Sequence, residues 1–589
     1  MSDSRRDFLK FIGRLSSLGM STPAINTLVN SMISAYSQKA MAATSNDNFY
    51  VFIQETQGPE RWFFDLFLDP YNSGYTPGLQ TPENVSDSSV TKNLGLVNSY
   101  YKEAADSSYD KAVYRFADVN GIRAPHLWSL NTGSSDGGSR AISELMQNLF
   151  SIRGIDVGSE NHTTAKVLIE QPSIGGPTLT GLMADYTSSP INAFAINPSY
   201  SPYVSTKNKS RLNIGKSRTS ASNMADVLLK PFNGVASAGN SANRVAYDEF
   251  NQLVGKSLKN YKDLGKATNL NVNSAKDLMY QGVSSLSSSW SSVYLRYKNI
   301  IDATIALSLP YLTDHPIGSD PNTRVYQSGG KTIKDLRYQV GAGSGIILEN
   351  DLRTLLQKDR FAAAHPSSSF TSNLYYMAEI FSITEFAIKN NFSQSIHLNS
   401  TAFHKLQADV FNGGFTSELP NSSFSSFTYS FDVHNSGSML NVLLMNAYYM
   451  CLAGCLLELR DQLIAKSLWN KTVIQISGDF NRRPIKDGSG SDHAGHATSM
   501  SVFSGKVKSP IFAGKIKNSS NTKYPGYYGT AAENSNGQTL NLGNVASSVA
   551  SMLEIPSPSP NNVSLVSVAS DGIQLNNEFK AENIKDEDV

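Results

Sequence analysis

The chain of 589 residues carries 50 lysines and arginines against 49 aspartates and glutamates, a formal net charge of +1 at pH 7. That balance provides no basic field for nucleic acid, which argues against a nucleic-acid partner. With 40% hydrophobic and 10% aromatic residues, the chain can bury a sizeable core, which excludes a disordered protein. Its length calls for two domains or one large domain with insertions.

The N-terminus reads MSDSRRDFLKFIGRLSSLGM. Ser4-Arg5-Arg6-Asp7-Phe8-Leu9-Lys10 matches the twin-arginine export signal, an arginine pair ahead of a modestly apolar stretch. Ala40-Met41-Ala42 has the small-x-small form of a cleavage site. Residues 1–42 are therefore expected to be a signal peptide read by the twin-arginine export machinery. The mature chain is expected to be periplasmic or secreted, without a stable membrane span, because the segment is too broken by polar residues to cross a bilayer.

Residues 48–54, NFYVFIQ, form an apolar strand that runs into the polar loop ETQGPER. Ile142, Leu145, Met146 and Phe150 have helical spacing, and SIRGIDVG follows as a strand. INAFAIN (191–197) is a further strand. Between about 200 and 370 the composition shifts toward Ser, Asn and Lys, with helical stretches such as VYLRYKNIIDATIALSLPYL. Helix resumes at LYYMAEIFSITEFAIKN, then strands at SIHLN and at TYSFDVH. A long apolar helix over about 438–466 leads to strand TVIQIS (472–477), and NVASSVASMLEIP is a terminal helix. Cys451 and Cys455 stand four apart within the long helix, a poor spacing for a disulfide, and read as buried small hydrophobes.

Strands alternating with helices predict an α/β fold, a three-layer sandwich around a mostly parallel sheet. The expected division is 43–200 as the first part of that core and 201–370 as a largely helical insertion or cap. Residues 371–560 complete the core, and 561–589 form an acidic, frayed tail. In such sheets, sites lie off the carboxyl ends of the strands.

The chemistry concentrates late in the chain. Two of only nine histidines fall within SGDFNRRPIKDGSGSDHAGH (477–496). Asp432 and His434 are two apart, which in extended backbone sends both side chains to one face. Asp479 follows a β-branched strand, and His493 and His496 are spaced for one helical face. Mixed oxygen and nitrogen ligands of this kind suit zinc, manganese or iron. Arg483 and Lys486 form a local positive spot, and the tyrosines of KYPGYYG (523–529) offer a surface for glycans.

The order of these segments resembles the twin-arginine-exported bacterial domain family of unknown function within the alkaline phosphatase and sulfatase superfamily. The family's WDTH-like strand end, long helix, SEFGRTP and DHG appear here as FDVH (431–434), helix 438–466, SGDFNRRP (477–484) and SDHAGH (491–496). SIRGIDVGSENHTTA resembles its segment carrying a Ser-His pair. The likeness covers most of 48–200 and 370–556.

The resemblance implies an alkaline phosphatase-like fold holding one or two divalent ions, zinc or manganese. Asp432, His434 and His493 become ligands of one metal, with Asp479 serving a second in place of the family's Glu. Arg482 supplies a fork for a phosphate or sulfate oxygen. Asn481 replaces a glycine, as asparagine tolerates positive φ. The Ser-His pair reads Asn161-His162, and Asn cannot attack, so the resemblance makes Thr163 the candidate nucleophile, with His162 and Arg482 as the other catalytic residues. Glu55 or Glu60 is the candidate for the remaining carboxylate. Two readings stay open: an exported metal-dependent hydrolase of small phosphate or sulfate esters, and a non-catalytic binding protein on the same fold.

Overall fold

The computed structural model describes residues 46–65, 116–187, 189, 191–197, 201–214, 283–313, 370–400, 431–434, 436–484, 490–519, 526–531, 533 and 537–580. It also describes the short strand pieces 325–328, 331–334, 339–340, 345–346, 406–408 and 427–429. The export signal and Lys486 lie outside these residues. So do the side chains of Arg483 and of the tyrosines in 523–529.

The main strands are β1 (Phe49–Glu55), β2 (Leu149–Asp156), β3 (Ala193–Ile196), β4 (Arg211–Ile214), β5 (Ser395–Asn399) and β6 (Thr472–Gly478). They continue with β7 (Asn481–Pro484), β8 (Ser491–Ala494), β9 (Thr498–Ser504), β10 (Ile511–Ala513) and β11 (Leu540–Asn541). The helices that cover them are α1 (His162–Glu170), α2 (Leu179–Asp185), α3 (Val283–Thr313), α4 (Phe370–Lys389), α5 (Ser438–Ile464) and α6 (Leu542–Leu553).

Nine strands form the central sheet in the order β10-β2-β9-β6-β1-β5-β3-β4, with β11 also pairing β2. All run in one direction except β9, which pairs antiparallel with both β6 and β2. The fold is thus mixed α/β around a large, mostly parallel sheet.

β1 shows why its sequence belongs at the centre. Phe49, Val51 and Ile53 enter one core while Tyr50 and Phe52 enter the other. Both faces of the strand are buried, so it reads as continuous apolar sequence. The first core lies under α3, α4 and α5, the second under α1, α2 and α6. α5 packs against α3 and α4 and is apolar nearly all round, as a largely buried helix must be. Its two cysteines are free and buried.

Several sequence readings change. Arg211–Ile214 is the edge strand β4 of the sheet, and α3 supplies Tyr297, Ile300 and Ile301 to the core, so segment 201–370 contributes to the body of the fold. The segment after 560 is a hairpin of Val566–Ala569 and Gly572–Leu575 whose Val566, Ile573 and Phe579 are buried against the second core. Through Lys580 it is packed structure, because those three apolar side chains anchor it. Ile142–Asn148 winds as a 3₁₀ helix rather than an α-helix. Among the described residues Phe427–Tyr429 pairs only with Leu406–Ala408, outside the central sheet.

Candidate metal centre

The site forms beyond the carboxyl ends of β1, β2 and β6. After β1 the chain turns through two left-handed residues, Gln57 at φ 75° and Gly58 at φ 58°. A Cβ on Gly58 would stand 2.6 Å from the Phe480 ring, so the approach requires glycine. The turn aims the Gln57 amide at Asp479 Oδ2, 2.6 Å away. Asp479 follows β6 directly and is fully buried.

After β2, Asn161 caps α1. Its side-chain oxygen accepts from the amides of Thr163 at 3.0 Å and Thr164 at 3.1 Å. Capping satisfies donors that a helix start leaves free, and it places His162 at the first helical position. From there Nδ1 of His162 lies 3.1 Å from Asp479 Oδ2, and Nε2 lies 3.7 Å from Asp432 Oδ1.

Asp432 and His434 sit in the loop before α5. Val433 between them is fully buried in the apolar core, so its two neighbours face away from that core. Gly490, at φ 148°, backs against this loop, where a Cβ would stand 2.5 Å from the carbonyls of Val433 and His434.

The fourth side chain comes from the hairpin β7–β8, in which Arg482 pairs directly with His493. Nε2 of His493 lies 2.7 Å from Nε2 of His434. The rings of His162 and His493 both rest on Phe480, with centroids 4.6 and 4.3 Å away. His162, Asp432, His434 and His493 each offer a ligand atom, and these atoms all lie within 4.8 Å of one another. It is the one such group found among the described residues. The side chains of His162, Asp432 and His434 are 24%, 39% and 35% exposed, so the cluster opens to solvent.

Arg482 lies beneath the cluster with no exposure. It donates to Asp432 Oδ1 at 2.7 Å, to the carbonyl of Gln57 at 2.9 Å, to that of Ser491 at 3.3 Å, and to that of Gly58. Partial burial alone would raise the Asp432 carboxyl, but His162 and Arg482 outweigh it and hold the group well below the usual range. Burial, helped by Arg482, His162 and His434, pushes His493 down to about 4. His434 is lowered by burial and then by Arg482. Both are therefore neutral near pH 7, the form in which imidazole binds metal. Burial would lower His162 too, but the nearby carboxylates of Asp432 and Asp479 raise it.

Three of the residues singled out as ligands, Asp432, His434 and His493, come together as expected from the sequence, and His162 joins them. Asp479, expected to serve a second ion, does not share that group; its Oδ2 stands behind His162, against Nδ1. Arg482 is turned inward onto protein oxygens, so it offers no fork to a substrate. Thr163 is exposed, and among the described residues its hydroxyl makes no hydrogen bond to the cluster. Asn161 is a helix cap. Asn481 lies in β7 without a left-handed backbone; that conformation belongs to Gln57 and Gly58. His493 is on a strand, and His496 is outside the cluster, its Nδ1 2.9 Å from Asp156 Oδ1.

Neither upstream glutamate reaches the cluster. Glu55 is engaged by Arg61, six residues on, and by the Tyr448 hydroxyl of α5, 2.9 Å away. Glu60 accepts from Asn441 at 3.1 Å, and burial pushes it up to about 8. The sequence reading missed Phe480 as the floor of the site and Asp492, whose Oδ1 is 3.6 Å from His434 Nδ1. The aromatic directly after Asp479 was the available signal for the first.

Comparison with protein-family models, with curated proteins and with solved structures finds no match. Among the described residues, no helix is long and apolar enough to cross a membrane.

Proposed function

We propose that the chain is an exported metal-dependent hydrolase of phosphate or sulfate esters on an alkaline phosphatase-like fold. The observation that carries this reading is the cluster itself: three imidazoles and one carboxylate within 4.8 Å, half open to solvent. Its position off the carboxyl ends of parallel strands is where ligands sit in open α/β sheets. Three nitrogens and one oxygen, with no thiolate, suit zinc or manganese. A divalent ion bound there would polarise an ester oxygen and acidify a water. With Asn161 a cap and the Thr163 hydroxyl making no hydrogen bond to the cluster among the described residues, the residues support attack by water rather than by a side chain. The Arg5-Arg6 motif and Ala40-Met41-Ala42 support export by the twin-arginine route.

The test is elemental analysis of the purified chain, followed by aryl-phosphate and aryl-sulfate assays with and without chelator. Bound metal with chelator-sensitive turnover supports the proposal; a chain without metal or turnover refutes it. One observation favours a second reading, a non-catalytic metal-binding protein: the Arg482 guanidinium is spent on protein oxygens. Bound metal without turnover of either ester would select it.

A further inference from the structure

We propose that Asp479 is a positioning residue for the metal centre: it takes the Nδ1–H of His162, so that the imidazole presents the Nε2 lone pair to the cation. The inference rests on the metal-binding reading above and deepens it.

Asp479 is fully buried, and its Oδ2 accepts from the Gln57 amide at 2.6 Å while standing 3.1 Å from His162 Nδ1. Because Oδ2 already accepts from the Gln57 amide, a bond between it and His162 places the proton on Nδ1. In the neutral imidazole, the form that binds metal, Nε2 is then the unprotonated nitrogen. It is buried, has no hydrogen-bond partner among the described residues, and lies 3.7 Å from Asp432 Oδ1. An uncommitted lone pair facing two further imidazoles and a carboxylate is what a cation requires. The outer contact of His434 is looser, since 3.6 Å from Asp492 exceeds a hydrogen bond. Asp479 is also held, at that same oxygen, by the Gln57 turn, whereas His162 is held by the Asn161-capped helix. Each half of the pair is therefore fixed independently. Outer carboxylates of this kind set the tautomer and orientation of a metal-binding histidine.

The experiment uses the full chain, with zinc affinity measured by chelator competition and cobalt(II) as the spectroscopic probe. The wild type is expected to take one ion. Asp479→Ala should weaken zinc about 10–100-fold, and its cobalt spectrum should match that of His162→Ala, because both lose the same ligand. Asp479→Asn keeps an oxygen that accepts from Nδ1–H, and should recover most of the affinity and the wild-type spectrum. An Asp479→Ala chain with wild-type affinity and spectrum overturns the proposal. So does a wild type that takes two ions of which Asp479→Asn loses one, since Asp479 would then be a ligand.

Should Asp479→Ala not fold, nitrogen-15 shifts of His162 in the metal-free wild type decide the matter. Protonation at Nδ1 supports the proposal, and protonation at Nε2 overturns it. A wild type that takes up no ion defeats the metal-binding reading itself, while the same shifts still report on the Asp479–His162 bond.

Discussion

The Nε2 atoms of His434 and His493 stand 2.7 Å apart although 59 positions separate the two residues. Two nitrogens bound to one tetrahedral zinc at about 2.0–2.1 Å are about 3.3 Å apart. Metal uptake should therefore open this pair by a few tenths of an ångström. Replacing either histidine with alanine should cost at least the 10–100-fold typical of outer contacts. Chelator competition on the folded variants measures it, and unchanged affinity in both would remove them from the ligand set.

Gly490 should be intolerant of substitution. A methyl group there meets the carbonyls of Val433 and His434 at 2.5 Å, backbone that cannot rotate aside. Gly490→Ala is expected to destabilise the chain by about 1–3 kcal/mol and to weaken metal binding by displacing His434. Denaturant unfolding and zinc titration check the two effects.

Arg61 joins Glu55 and Asp65 in a network without solvent exposure, to which Tyr448, Ser499 and Ser501 also donate. Arg61→Leu leaves two carboxylates buried without a counter-charge. Breaking a buried pair in this way costs about 3–5 kcal/mol. Urea denaturation of the variant should show a loss of that size; a change under 1 kcal/mol, the scale of a surface pair, would mean that the network contributes no more than surface charges do.

Glu170 gives a pH dependence with a definite sign. Burial pushes its carboxyl up to about 8, above the 4.5 of the free group, with Arg211 only partly opposing. His397, whose Nδ1 lies 3.7 Å away, is pushed down to about 3 by burial and then by Arg211, and stays neutral. Between pH 4.5 and 8 the folded chain keeps the Glu170 proton that the unfolded chain has released. This contribution to stability is present below 4.5 and is lost as pH rises to about 8. Glu170→Gln should remove the slope, gaining on the wild type by at most about 1.4 kcal/mol per pH unit through that window. Parallel stability curves for the two proteins would contradict it.

Much of the sheet was legible because its central strands are apolar on both faces, as in FYVFIQE and TVIQISG. The long helix declared itself by the same continuous apolarity. The Asp432–His434 spacing was legible for a local reason, alternation about a buried valine. What the sequence concealed depends on distant partners. Nothing in RRP announces that Arg482 is buried beneath Asp432, or that Asp479 meets His162. The edge strand β4 was hidden because RLNI is short and half polar, as an edge permits. The Asn161-His162-Thr163-Thr164 stretch held a helix-cap signal that a search for a nucleophile passes over.

Anomalous diffraction at the zinc edge, from crystals of the full chain grown with zinc, tests the metal centre most directly. A single peak within about 2.0–2.2 Å of His162 Nε2, His434 Nε2, His493 Nε2 and an Asp432 oxygen is the predicted result. Density that shows the four side chains in place with no anomalous peak among them, at zinc concentrations that saturate ordinary zinc proteins, would contradict it.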